Sequence, residues 1–67
     1  MYNEIESAIF AVMDRLGDKS GKILIEDVYR LLKQEYNIDR LSAGKAVVEL
    51  CKRGKIASFE YYYLRGV

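Results

Sequence analysis

The run Asn37-Ile-Asp-Arg-Leu-Ser-Ala-Gly-Lys-Ala-Val-Val-Glu-Leu-Cys-Lys-Arg-Gly54, followed at once by Lys55-Ile-Ala-Ser-Phe-Glu-Tyr-Tyr-Tyr-Leu-Arg-Gly-Val67, decides the architecture. Ala43, Ala46, Val47, Leu50 and Cys51 recur at helical spacing and predict a core-facing stripe. Asp39 or Ser42 is the N-cap, the helix runs to about Arg53, and Gly54 is the glycine that closes it. Lys55–Phe59 and Tyr61–Arg65 are rich in aromatic and β-branched residues, which predicts a hairpin. No Asn-Gly or Asp-Gly marks its reversal, which is set near Phe59-Glu60.

Upstream, Asn3 and Glu6 have the spacing of a capping box, and Ile5, Ala8, Ile9, Val12, Met13 and Leu16 continue as one helical face ending at Gly17. Tyr2 falls at the fraying end. Phe10 lies off the stripe, so it either widens the buried face or marks a contact outside the core. Asp18-Lys-Ser-Gly21 is turn chemistry, and Lys22–Ile25 suits a very short strand that pairs with the hairpin. From Glu26 to Tyr36 a second helix sets Val28, Leu31, Leu32 and Tyr36 on one face and Asp27, Arg30, Lys33 and Gln34 on the other. Asn37-Ile38-Asp39 is the turn into the third helix. The expected order is helix, strand, helix, helix, strand, strand, a single α+β domain over residues 1–67.

With 67 residues the chain can bury only a small core, and one Cys cannot form an internal disulfide. Cys51 therefore reads as a small core residue. The chain has no His, which removes the commonest zinc ligand and the default general base. No carboxylate pattern, nucleophile pair or phosphate-cradling glycine loop offers catalysis, so no enzyme, metal, cofactor or small-molecule substrate is expected. No signal peptide or long apolar run is evident, and a soluble cytoplasmic protein is expected.

Eleven Lys and Arg against ten Asp and Glu leave +1, so binding to an anion must arise from the placement of charges, not from a whole-molecule field. The outward face of the third helix carries Leu41, Lys45, Val48 and Lys52, with Gly44 and Glu49 at its margins. A sequence-reading helix presents Arg, Lys, Asn, Gln or Ser to base edges; here the polar positions are lysines, which favour phosphate contact over base readout. Lys45, Lys52, Arg53 and Lys55 are either a solvated helix end that complements the helix dipole or a basic patch joined by Arg65, Arg40 and Ser42. Roughly four to six such contacts would bind DNA weakly, with a salt slope of about −0.9 per phosphate. Leu41 and Val48 fit a protein contact or a dimer seam better than a groove in DNA. Gly44 within the helix costs about 1 kcal/mol relative to Ala, which favours close approach by the second helix, a partner or a phosphate backbone over a harmless place in the first turn of a helix that starts at Ser42. Tyr61 and Tyr63 must face opposite to Tyr62. The expectation is that Leu64 or Tyr62 covers the core while exposed tyrosines stack on bases, dock a protein or pair across the hairpin.

The stretches Gly21-Lys-Ile-Leu-Ile-Glu-Asp-Val28, Ile38-Asp39, Lys52-Arg-Gly-Lys-Ile56 and Tyr63-Leu-Arg-Gly-Val67 resemble the winged helix-turn-helix superfamily in its small archaeal form. Within it they are similar to the C-terminal winged-helix domain of archaeal minichromosome maintenance helicases, although the Pro/Gly-containing wing tip is missing and the exit from the third helix lacks one residue. The superfamily resemblance implies a wing, double-stranded DNA binding through the third helix and wing, and a transcriptional or replication-associated regulator. The helicase resemblance implies a protein-contact role with little DNA affinity. Two functional expectations follow. One is DNA binding through Lys45, Lys52, Arg53, Lys55 and Arg65, as a homodimer; the other is protein docking through Leu41, Val48, Tyr61 and Tyr63. An apolar patch on the third helix would favour the second.

Overall fold

The computed structural model describes residues 3–17 and 19–66. The elements follow the expected order: α1 Glu4–Leu16, β1 Ile23–Leu24, α2 Ile25–Tyr36, α3 Arg40–Lys52, β2 Ile56–Ser58 and β3 Tyr62–Arg65. The chain is a small α+β domain with three helices and one antiparallel sheet, in the order β1-β3-β2. The expectations placed on Tyr2, on Asp18 and on Val67 of the closing motif lie outside the described residues.

Four of the helix boundaries have a local cause in a capping or left-handed residue. At α1, Asn3 accepts the Glu6 amide while the Glu6 carboxylate accepts the Asn3 amide, which satisfies two donors left free by the first turn. The α2 helix ends at Asn37, which takes the left-handed conformation (φ 54°) and lets the Ile38 amide reach back to the Leu32 carbonyl. At α3 the cap is Asp39, whose side chain accepts the Ser42 amide; Ser42 is inside the helix. Gly54 then adopts φ +74°, a conformation costly for any residue with a Cβ, and turns the chain into β2. Gly66 is fixed by space instead. A Cβ there would sit 2.0 Å from the Gly54 carbonyl oxygen, so the end of the hairpin can lie directly on the α3–β2 junction, with the Gly66 amide donating to Lys55.

The core lies between the helices and one face of the sheet. Ile9, Val12 and Met13 of α1 meet Val28 and Leu32 of α2, Ala43, Val47 and Leu50 of α3, and Ile23, Ile56 and Tyr63 of the sheet. Phe10 is also buried, so it widens the face of α1. Tyr36, expected on the inner face of α2, is 43% exposed, because the helix ends there and its last turn overhangs the core.

The hairpin corrects two expectations. Phe59 donates its amide to the Tyr62 carbonyl, so the reversal is made by Glu60-Tyr61, one residue later than expected. Neither turn residue has positive φ, which is why no Asn-Gly or Asp-Gly was needed. Tyr63, not Leu64 or Tyr62, is the tyrosine turned inward: its register partners Ile23 and Ser58 place it on the core side, where it is 3% exposed. Its hydroxyl shares a 2.9 Å hydrogen bond with that of Tyr29, which lets a phenol be buried without an unsatisfied polar atom.

Candidate functional site

The exposed side of α3 borders a shallow, open groove of about 910 Å³. Leu41, Lys45, Val48 and Lys52 follow one another at four-, three- and four-residue steps and so line up along the helix. Leu41 is 71% exposed and Val48 55%. The far wall and floor come from Tyr29 of α2, Ser58 of β2 and Tyr63 of β3, with Gly44 and Cys51 of α3. Burial holds both the Tyr63 phenol and the Cys51 thiol above their ordinary pKa values, and the hydrogen bond from Tyr29 adds to the effect at Tyr63. Both groups are neutral near pH 7. The floor is therefore uncharged, and Arg40, Lys45 and Lys52 share the rim with one carboxylate, Glu49.

Gly44 lies in the middle of this groove. It is the fifth residue of α3, past the first turn, and a Cβ placed there would come no closer than 3.9 Å to the Tyr29 hydroxyl. The packing role expected of Gly44 is not required by its neighbours. What its missing side chain does is leave the tyrosine pair open to the groove.

The seven residues expected to contact DNA do not form one patch. Arg40 is at the groove mouth, its guanidinium 4.5 Å from the centre of the Tyr29 ring and paired with Glu26. Lys45 and Lys52 flank Leu41 and Val48 and make no ion pair among the described residues. Lys55 lies beyond the helix end, half-buried, with its backbone tied to Leu50 and Gly66. Ser42 is off the groove, on the side of α3 that meets the start of α1. Arg53 turns away and donates to the Glu6 carboxylate at 2.6 Å; Glu6 is 5% exposed. Arg65 lies over the Phe10 ring, 4.3 Å from its centre, and pairs with Asp14 on α1. Arg53 and Arg65 thus bind parts of their own fold, for a chemical reason: a planar, weakly hydrated guanidinium packs on rings and carboxylates more readily than an ammonium does.

Of the residues expected to meet a protein, Leu41 and Val48 are on the groove wall. Tyr61 is 70% exposed at the hairpin turn and outside the groove, whereas Tyr63 is in its floor and cannot be an exposed anchor. Sequence reading missed Tyr29. Its signal was indirect: a glycine inside α3 leaves room for a large side chain on the neighbouring helix. No group of acids or cysteine that could hold a metal ion occurs among the described residues, and no helix among them is long and apolar enough to cross a membrane. Comparison with known proteins returns no matching family model, no matching curated protein and no matching solved structure.

Proposed function

We propose that this domain is a winged helix-turn-helix in which β2 and β3 are the wing, and that its α3 groove docks a segment of another protein. The segment is amphipathic, with apolar side chains for Leu41, Val48 and the tyrosine floor and carboxylates for Arg40, Lys45 and Lys52. The observation that carries this reading is that the outward face of α3 borders an apolar groove. A convex, polar helix would be the form suited to the major groove of DNA. The magnitudes point the same way. Covering Leu41 and Val48 contributes on the order of 1–2 kcal/mol each, while three lysines at phosphates give a salt slope of only about −3.

DNA binding is the second reading, and it rests on Lys45, Lys52 and Lys55, which lack acidic partners among the described residues. One titration separates the two. A fluorescent helical peptide of alternating leucine and glutamate faces is compared with its lysine counterpart and with a generic duplex, each at low and at moderate salt. Docking requires that the acidic peptide bind, that Val48→Asp abolish it and that the lysine peptide fail. Duplex binding that Lys45→Glu with Lys52→Glu removes, without peptide binding, would establish the second reading instead.

A further inference from the structure

The tyrosine pair beneath the groove carries one proton more than its own bond can use. Tyr29 Oη and Tyr63 Oη are 2.9 Å apart, and each phenol is both donor and acceptor, so one proton lies between the oxygens and the other needs an acceptor elsewhere. Neither hydroxyl makes a second hydrogen bond among the described residues. Tyr63 is 3% exposed, whereas Tyr29 is half-buried and borders the groove. If Tyr29 donated, the spare proton would be the buried one on Tyr63, with nothing to receive it, which is the costlier arrangement. Tyr63 therefore donates to Tyr29, and the proton of Tyr29 is the one turned to the groove. Gly44 opens the way to it. A Cβ there would stand 3.9 Å from Tyr29 Oη, and without one the hydroxyl is met directly from above α3. The glycine weakens the helix and packing does not require it; access to this hydroxyl is what it provides.

Cations flank the opening. Arg40 is one turn before Gly44 on the same side of α3. Its guanidinium is 4.5 Å from the centre of the Tyr29 ring and gives one of its five N–H groups to Glu26, in a pair exposed on both sides. Lys45 follows Gly44 directly. Glu49, the carboxylate on the groove rim, is five residues past Gly44 and so about 140° round the helix from it. We infer that Tyr29 selects the docked segment: its hydroxyl donates, through the opening at Gly44, to the carboxylate of one glutamate or aspartate of that segment, with Arg40 and Lys45 supplying the countercharge. The inference rests on the docking reading and sharpens it. Rim lysines alone would accept acids anywhere along α3, because an ammonium is a point charge without a fixed direction. A hydrogen bond is directional, so Tyr29 demands one acid at one place.

The test is a fluorescence titration of the leucine and glutamate peptide, and of versions with each glutamate replaced in turn by alanine, against the parent, Tyr29→Phe and Tyr63→Phe. Circular dichroism and urea unfolding follow the fold of each variant. Both substitutions break the same hydrogen bond, but only Tyr29→Phe removes the donor that faces the groove. Tyr29→Phe should weaken the unaltered peptide about tenfold, the low end for a hydrogen bond to a charged group in a site open to water. Tyr63→Phe should bind it within about twofold of the parent. One alanine peptide should bind the parent and Tyr29→Phe alike, as coupling between two groups in contact requires. Equal losses in the two tyrosine variants would show a structural effect and overturn the proposal, and so would losses that add for every glutamate. Peptide binding that Val48→Asp abolishes but Tyr29→Phe leaves intact removes the role of Tyr29 and keeps the docking reading; a parent that binds no acidic peptide overturns both.

Discussion

Replacing Arg53 by Met tests whether this cation serves the fold or a ligand. The Glu6 carboxylate, in a side chain 6% exposed, accepts the Arg53 guanidinium at 2.6 Å and the Asn3 amide at 3.1 Å. Met keeps much of the aliphatic bulk of Arg and removes the donor, leaving a buried anion with one neutral hydrogen bond. Breaking a fully buried pair from one side costs about 3–5 kcal/mol. The Arg53 side chain is 37% exposed, so water reaches the vacated side and the expected loss falls to about 1.5–3 kcal/mol. For a domain of this length that lowers the melting temperature by roughly 10 °C or more. The assay is thermal and urea unfolding of Arg53→Met, Glu6→Gln and the double variant at one protein concentration. Because the carboxamide introduced by Glu6→Gln can still accept the Asn3 amide, the coupling between the two changes isolates the ion pair and should be about 1–2 kcal/mol. A variant within about 0.5 kcal/mol of the parent that instead loses duplex binding would refute the reasoning and return Arg53 to the role its sequence position first indicated. Arg15, paired with Glu35 on the open surface, is the control; Arg15→Gln should leave the melting temperature nearly unchanged.

Gly44→Ala should raise stability by about 0.5–1 kcal/mol, since helix propensity improves and the new methyl meets nothing closer than 3.9 Å. The same methyl narrows the groove, so peptide affinity should fall while the urea midpoint rises, and a lower midpoint would show that the glycine serves packing. Tyr63 has a folded-state pKa raised above the ordinary 10.0 by burial and by Tyr29. Its contribution to stability is complete below about pH 10 and is lost as pH rises toward the folded value; the gap in urea midpoint between the parent and Tyr63→Phe should shrink in alkali, and a gap that does not change with pH contradicts it. Asp39 is shifted the other way, below the usual carboxylate range, by the hydrogen bond from the Ser42 amide. Its capping contribution is present above about pH 4 and is lost as pH falls through the folded value, so Asp39→Ala should lower the midpoint near neutrality and converge on the parent in acid.

The helices were legible because each carries both a period and a punctuation mark. Asn3 with Glu6, Asn37, Asp39 and Gly54 stand where the chain starts or stops a helix, and the apolar residues between them repeat at helical spacing. The hairpin was legible in place but not in facing. Three consecutive tyrosines give no alternation of polarity, so nothing in Tyr61-Tyr62-Tyr63 says which ring turns inward; pairing of Tyr63 with Ile23 decides it, and that is a contact between residues forty apart. The site was half legible for the same reason. Leu41, Lys45, Val48 and Lys52 belong to one helix and follow from its period, while Tyr29 and Ser58 reach the groove only through the tertiary arrangement.

A further division follows from the pairing of the cations. Every arginine of the chain is engaged by an acid of its own fold: Arg15 by Glu35, Arg30 by Asp27, Arg40 by Glu26, Arg53 by Glu6 and Arg65 by Asp14. Lys45, Lys52 and Lys55 make no such pair among the described residues. The net charge of +1 thus conceals a division: four arginines fasten helices and sheet to one another while Arg30 pairs within α2, and three of the six lysines stand on and beyond α3 without such a pair. Four of the arginine pairs are exposed enough that each is worth little and a strong external anion could displace the acid; Arg53, on a buried carboxylate, could not be displaced so cheaply. The cations that a partner meets at no internal cost are therefore lysines. Lysine presents a hydrated point charge that accepts a carboxylate or a phosphate without dictating its geometry, so any selectivity at α3 must come from what lies between them: Leu41, Val48 and the opening that Gly44 leaves above Tyr29 and Tyr63.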